Sequence, residues 1–216
     1  MKKVAVFTVV TMLAIIAGLN TELMAAEEKT YEVTITNLTP GQVMTPPLLA
    51  THKTNFSLFT IGKKASRGLA TLAEEGDTSG LSSALKKNKR VMSVATGDAV
   101  IMPGKSTTIM ITASEGYRYL SMASMFAVTN DAFAAVRGVW LADGAVYYAN
   151  VYDAGSEGNN ESADFIPGLG SPGARYTKNK EGYVHISNGV HGHGDLDPAS
   201  HDWRNPGAMI SIKEVK

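Results

Sequence analysis

The sequence predicts a mainly β protein, an antiparallel sandwich or barrel carrying two short helices. Three observations lead there. Short runs of alternating or β-branched residues recur along the chain, Gly, Asn and Asp turns separate them, and one stretch rich in Ala, Leu, Lys and Glu breaks the pattern. The 216 residues include no cysteine, so packing of a core, not disulfide cross-linking, has to hold the fold together.

Tyr31-Glu32-Val33-Thr34-Ile35-Thr36 alternates apolar and polar side chains as a half-buried strand does. Pro46-Pro47 interrupts regular structure, and Phe56-Ser57-Leu58-Phe59-Thr60-Ile61 resumes a strand pattern that ends at Gly62. Two short helices are expected over Ala65 to Glu75 and Leu81 to Asn88, separated by Gly76-Asp77 and crossing over between strands at one end of the body. Further strands are expected at Val91 to Ala95, Ser106 to Ala113, Tyr119 to Val128, Val136 to Leu141, Ala145 to Tyr152, Tyr183 to Ile186 and Met209 to Ile212. Between Ala145 to Tyr152 and Tyr183 to Ile186 lies Asp153 to Gly182, rich in Gly, Asn, Ser and Pro. A loop of that length inside a domain is usually functional or tied down.

The amino terminus reads as an export signal. Lys2 and Lys3 precede the apolar run Val4 to Leu19, and small alanines stand before the acidic Glu27-Glu28. An apolar core of about 15 residues is short for a membrane span of about 20. Cleavage after Ala25 or Ala26 is therefore expected, leaving 27–216 as one domain with no transmembrane span. The twenty basic and twenty acidic residues then lose Lys2, Lys3 and Glu22, so the mature chain carries about −1. A balance so close to neutral gives no reason to expect nucleic acid or an acidic membrane as partner.

Candidate chemistry gathers in the turns. Thr129-Asn130-Asp131 closes the run Met122 to Val128, Tyr152-Asp153-Ala154-Gly155-Ser156-Glu157 closes the run Ala145 to Tyr152, and Glu115-Gly116 lies between two further strands. Carboxylates, amides and carbonyls at turns are the hard oxygen donors that calcium takes six to eight of. The same residues also serve turns by bonding the local backbone, so spacing leaves both readings open. His185, His191, His193 and His201, with Asp195, Asp197 and Asp202 among them, form a histidine-rich group, and His191-Gly192-His193 completed by His201 or a carboxylate offers a competing zinc-dependent hydrolase reading. Their spacing, however, fits no helix-borne zinc motif. A Gly-x-Ser-x-Gly elbow and a phosphate-binding glycine loop are both absent from the sequence.

Four segments carry a resemblance. They are Phe56-Ser57-Leu58-Phe59 with Ala65-Ser66-x-Gly68-Leu69-Ala70-x-Leu72-Ala73-Glu74-x-Gly76; Leu120 to Met125 leading into Thr129-Asn130-Asp131-Ala132-Phe133; Tyr152-Asp153-Ala154-Gly155-Ser156-Glu157; and Gly194-Asp195-Leu196 through Asp202-Trp203-Arg204-Asn205-Pro206. In this order they resemble bacterial spondin-domain proteins, similar to the amino-terminal domains of F-spondin and mindin. The resemblance implies a C2-like antiparallel β-sandwich, a bound calcium ion and a non-catalytic role in adhesion or recognition. It carries metal binding onto Asp131 and Asp153, and across a small gap onto Glu115. Glu157 and Asn130 stand as supplementary oxygens. The expected partner is an extracellular or cell-envelope ligand, protein or glycan, met by a secreted or periplasmic protein.

Overall fold

The computed structural model describes residues 27–171 and 173–216; the expected export signal over residues 1–26 lies outside the described residues. The elements are β1 (Lys29–Asn37), β2 (Leu48–His52), α1 (Arg67–Glu75), α2 (Ser79–Lys86), β3 (Val91–Thr96), β4 (Ser106–Ala113), β5 (Tyr119–Met125), β6 (Ala132–Trp140), β7 (Val146–Asp153), β8 (His185–Ile186), α3 (Pro198–His201) and β9 (Ala208–Val215). Two 3-10 turns, Ala163–Phe165 and Pro167–Leu169, fall between β7 and β8.

All strand pairs are antiparallel, in the order β3-β2-β5-β6-β7-β9-β1-β4, with β8 added beside β7. The sheet turns a corner within β7. Its first half, Val146 to Ala149, pairs with β9, and its second half, Asn150 to Asp153, pairs with β6. One strand serving two sheets in this way is how corners are made in orthogonally packed β structures. The far ends of the path approach each other, and Thr51 of β2 donates its hydroxyl to the Thr112 carbonyl of β4 at 2.7 Å, so the sheet is nearly closed.

Two apolar clusters follow from strand alternation. Tyr31, Val33 and Ile35 of β1 meet Leu120 and Met122 of β5, Ala134 and Val136 of β6, and Ile210 and Ile212 of β9 between the two halves of the sheet. The opposite faces of β2, β5 and β6 present Leu48, Ala50, Ala123, Phe133 and Ala135 to Leu69, Leu72 and Ala73 of α1 and Leu81 and Leu85 of α2. Strand β5 is thus covered on both faces, which is why Leu120-Ser121-Met122-Ala123-Ser124-Met125 lacks the alternation of an exposed strand. The helices cross closely at Gly68, where a Cβ would come within 2.9 Å of the Leu81 backbone. Ser66 caps α1 by accepting from the Leu69 amide, and Gly76 ends it in the left-handed region.

The structure corrects two expectations and adds a strand, β2, to those expected. The two helices do not form a crossover between strands at one end of the body. They lie in the connection between β2 and β3, which are adjacent antiparallel neighbours, and roof the outer face of their sheet. Phe56 to Ile61 is not a strand: the adjacent Leu58 and Phe59 are both buried and anchor a loop, and Phe59 meets Phe133 and Tyr152 edge-on at 5.2 and 4.9 Å. Strand β2, directly after Pro46-Pro47, lies between β3 and β5 even though prolines precede it. Proline is tolerated at the start of a strand because the ladder there does not require its missing N–H. Strand β9 likewise lies inside the sheet, between β7 and β1, with Trp203 buried against Phe126 just before it.

The helical roof depends on Leu72, which is fully buried against the outer sheet face. Leu72→Ala is expected to lower stability by about 2–5 kcal/mol, read as a lower urea midpoint with an unchanged m-value.

Candidate metal centre

The turn joining β5 to β6 is closed by Thr129, whose hydroxyl donates to the Phe126 carbonyl (2.7 Å) and accepts from the Ala132 amide (3.1 Å). That bond pair sets Asp131 one residue before β6, and the pairing of Ala132 with Asp153 brings the end of β7 alongside. The Ala154 amide then donates to the Asp131 carbonyl at 3.2 Å. Asp131 and Asp153, 22 positions apart in the chain, therefore meet at one tip of the molecule.

Asp131 is fully buried. Its Oδ2 accepts from the Ser156 amide (2.7 Å), the Ser156 hydroxyl (3.1 Å) and the Glu157 amide (2.9 Å), while its Oδ1 is buried with no hydrogen-bond partner. Burial, followed by the charge of Asp153, raises the Asp131 carboxyl well above the usual carboxylate range. The donors from Glu157 and Ser156 only partly oppose this. Asp153 accepts from the Gly155 amide on Oδ1 (2.7 Å) and from the Asn159 side chain on Oδ2 (2.8 Å). Gly155 adopts a positive φ of 63°, and a Cβ there would stand 2.2 Å from the Tyr183 carbonyl oxygen. Only glycine lets the chain wrap back over Asp131.

Acidic side chains continue past this pair. Glu157 is buried, one of its oxygens lacks a partner, and its carboxyl is pushed up to about 8 by burial and by the charge of Glu74, against the pull of Arg175. Arg175 lies 2.9 Å from Glu74 and also grips Glu75, tying the end of α1 to the long β7–β8 connection. Glu161 is buried with a φ of 53°, and its carboxylate collects the amides of His191 (2.6 Å) and His193 (2.7 Å). Asp131, Asp153, Glu157, Glu161 and Glu74 are the buried acidic side chains among the described residues. Charges removed from water have to be paired or neutralised: Glu74 has Arg175, Glu161 has two backbone amides, and Asp131 and Glu157 are shifted towards the protonated form.

Glu115 is not part of the group. It is exposed in the turn before β5, whereas Asp131 follows the end of β5, so seven residues of extended chain separate them, about 20 Å. Turns on either side of one strand stand at opposite ends of it, and Glu115 instead borders a hollow with Lys29, Tyr31, Arg118 and Trp140. A buried acidic residue that does follow the pair is Glu157, four residues after Asp153, and its backbone amide is what reaches Asp131. The histidine-rich segment does not assemble as a zinc centre. His191 and His193 stack their rings (5.4 Å) while their backbone amides serve Glu161, and His201 lies on α3 with its Nδ1 3.2 Å from the Asp197 carbonyl. Among the described residues, the histidine that meets two carboxylates is His185. Glu74 lies in a motif of the resemblance, but its pairing with Arg175, about a hundred residues later in the chain, carries no local signal.

Fold and site define an antiparallel β module whose acidic tip is built from the β5–β6 turn and the segment following β7. The family model described as Spondin_N matches residues 39–156, more than half of the chain, and its span holds both Asp131 and Asp153. The chain belongs to the spondin amino-terminal domain family. No curated protein matches it in sequence. The match stops at Ser156, yet β8 and β9 beyond it pair with β7 and β1, so the last sixty residues complete the same sheet.

A folded-state carboxyl raised above its unfolded value binds a proton that the unfolded chain has released, so stability falls as pH rises between the two values. For Glu157 that window runs from 4.5 to about 8, and Asp131 acts with the same sign. In metal-free buffer the urea midpoint is expected to fall across this window, and Glu157→Gln is expected to flatten the slope.

Proposed function

We propose that this protein is an exported recognition module without catalytic activity, C2-like in architecture, in which Asp131 and Asp153 hold a calcium ion. The single observation that carries the reading is the Asp131 Oδ1, fully buried and unpartnered beside a second buried carboxylate. A bare oxygen in that setting fits a hard cation, because a divalent ion removes both the desolvation cost and the mutual repulsion that raise the Asp131 carboxyl. Glu157 donates its amide to Asp131, while its carboxylate faces Glu74 and Arg175. When bound, calcium supplies positive charge and coordination. The protein's own contribution is to hold the β5–β6 turn against the segment Ala154 to Glu161 through the Ser156 and Glu157 amides.

Family membership and the apolar leader of the sequence support a place outside the cytoplasm, with a protein or glycan of the envelope or exterior as the partner. No helix among the described residues is long and apolar enough to cross a membrane.

Calcium at about 100 times Kd is expected to add about 2.7 kcal/mol of stability, seen as a rise in Tm that chelator reverses. Asp131→Asn and Asp153→Asn should each abolish most of that rise. In chelator, Asp131→Asn should melt no lower than the wild type, because it removes a buried repulsive charge. Identical wild-type melting curves with and without calcium would overturn the reading.

A further inference from the structure

The two-residue strand β8 places His185 directly across from Asp153 in the antiparallel register. The Nδ1 of His185 lies 2.8 Å from the Ile186 carbonyl oxygen. A carbonyl can only accept, so Nδ1 carries the ring proton, and on a neutral ring Nε2 presents a bare lone pair. That Nε2 is buried and has no hydrogen-bond partner. It points between two carboxylates, 3.5 Å from Asp153 Oδ1 and 3.9 Å from Glu181 Oε2. One ligand atom from each of the three residues falls within 4.8 Å of the others. A lone pair facing two carboxylate oxygens is repulsive until a cation lies among them.

We infer that Asp153, Glu181 and His185 form a second metal site, for a zinc-class divalent ion, adjoining the Asp131–Asp153 pair. The donor set decides the class. Calcium takes oxygen ligands, whereas one imidazole nitrogen with two carboxylate oxygens suits zinc and its first-row neighbours. The ring is already oriented as metal-ligating histidines are, with its other N–H donated to a carbonyl. Asp153 is likewise braced, by the Gly155 amide and the Asn159 side chain. Glu181 lies at the surface, so water or a donor from an external ligand can complete the shell of the ion. Three protein ligands with an open position is the arrangement of reactive and ligand-accepting zinc sites, not of closed structural ones. The inference shares Asp153 with the calcium reading and otherwise stands apart from it.

The test uses the purified protein, stripped of metal and returned to chelator-free buffer containing calcium. Cobalt(II) is titrated by its visible absorption and zinc by calorimetry. One equivalent is expected to bind, with cobalt bands characteristic of nitrogen and oxygen ligation. His185→Ala and Glu181→Gln should each weaken uptake by about tenfold or more, since loss even of supporting residues around a metal costs about that much. Both variants should keep the calcium-induced rise in Tm. Asp131→Asn should show the opposite pattern, and a double His191→Ala, His193→Ala variant should bind as the wild type does. Glu181 is exposed, so its variant remains informative even if His185→Ala does not fold. A wild-type protein that takes up neither ion overturns the inference, because the three groups are then an imidazolium–carboxylate ion pair. Uptake unchanged in both variants overturns it as well. Zinc uptake without a calcium response would leave this site standing and remove the other.

Discussion

Asp131 is cut off from water, and the chain that encloses it does so by donating backbone amides to one of its oxygens while leaving the other bare. Most of the tip follows from that constraint. The amides of Ser156 and Glu157 reach Asp131 only if the chain reverses immediately after β7, and the reversal requires a left-handed Gly155 pressed against the Tyr183 carbonyl. Tyr183 in turn leads into β8, so the short strand carrying His185 is placed by the same fold-back that buries Asp131. A carboxyl held this way has to be paired with positive charge or neutralised by a proton, which separates the tip from the turns elsewhere on the molecule.

The rest of the body keeps this tip rigid. Strand β7 belongs to two sheets at once, and its second half, which ends at Asp153, is clamped between β6 and β8. Above it, Tyr152 packs with Phe59 and Phe133 in the cluster roofed by α1 and α2. Arg175 links the carboxylates at the end of α1 to the long connection, so the helical roof and the acidic tip share an ion-pair network across chain segments a hundred residues apart. The connection from Asp153 to Gly182 is pinned at several points. The Gly158 amide reaches the Tyr176 carbonyl, the Gly182 amide reaches the Gly155 carbonyl, and Glu161 gathers the histidine-bearing segment.

Particular residues show where sequence reading succeeded and why it stopped. The alternation in β1 survives into the structure because β1 has one buried face, and helix ends marked by Ser66 and Gly76 fall where capping chemistry puts them. The aromatic and β-branched run Phe56 to Ile61 misled because a loop anchored by Leu58 and Phe59 buries apolar side chains without any ladder. Glu115 was legible as an acidic turn and its distance was not, although an antiparallel order alone places turns before and after β5 at opposite ends. Glu157 and His185 carried weaker signals. One was a supplementary oxygen beside the Asp153 motif, and the other was one histidine among several, distinguished only by the register of a two-residue strand.

By itself the sequence determined the β character of the chain, its independence from disulfides and the family to which its motifs belong, and through that resemblance it drew attention to Asp131 and Asp153. The first two depend on local pattern and residue chemistry, and the family on the order of its motifs, all of which a string of letters carries. Only the tertiary structure decided which acidic side chains lose contact with water, which oxygen of Asp131 is left bare, and that Glu157, Glu74, Glu181 and His185 join the tip while Glu115 and the His191–His193 pair do not. The physical reason is that burial and charge coupling are set by neighbours remote in sequence. Strand register and the fold-back after β7 choose those neighbours, and neither is written at the positions whose chemistry they change.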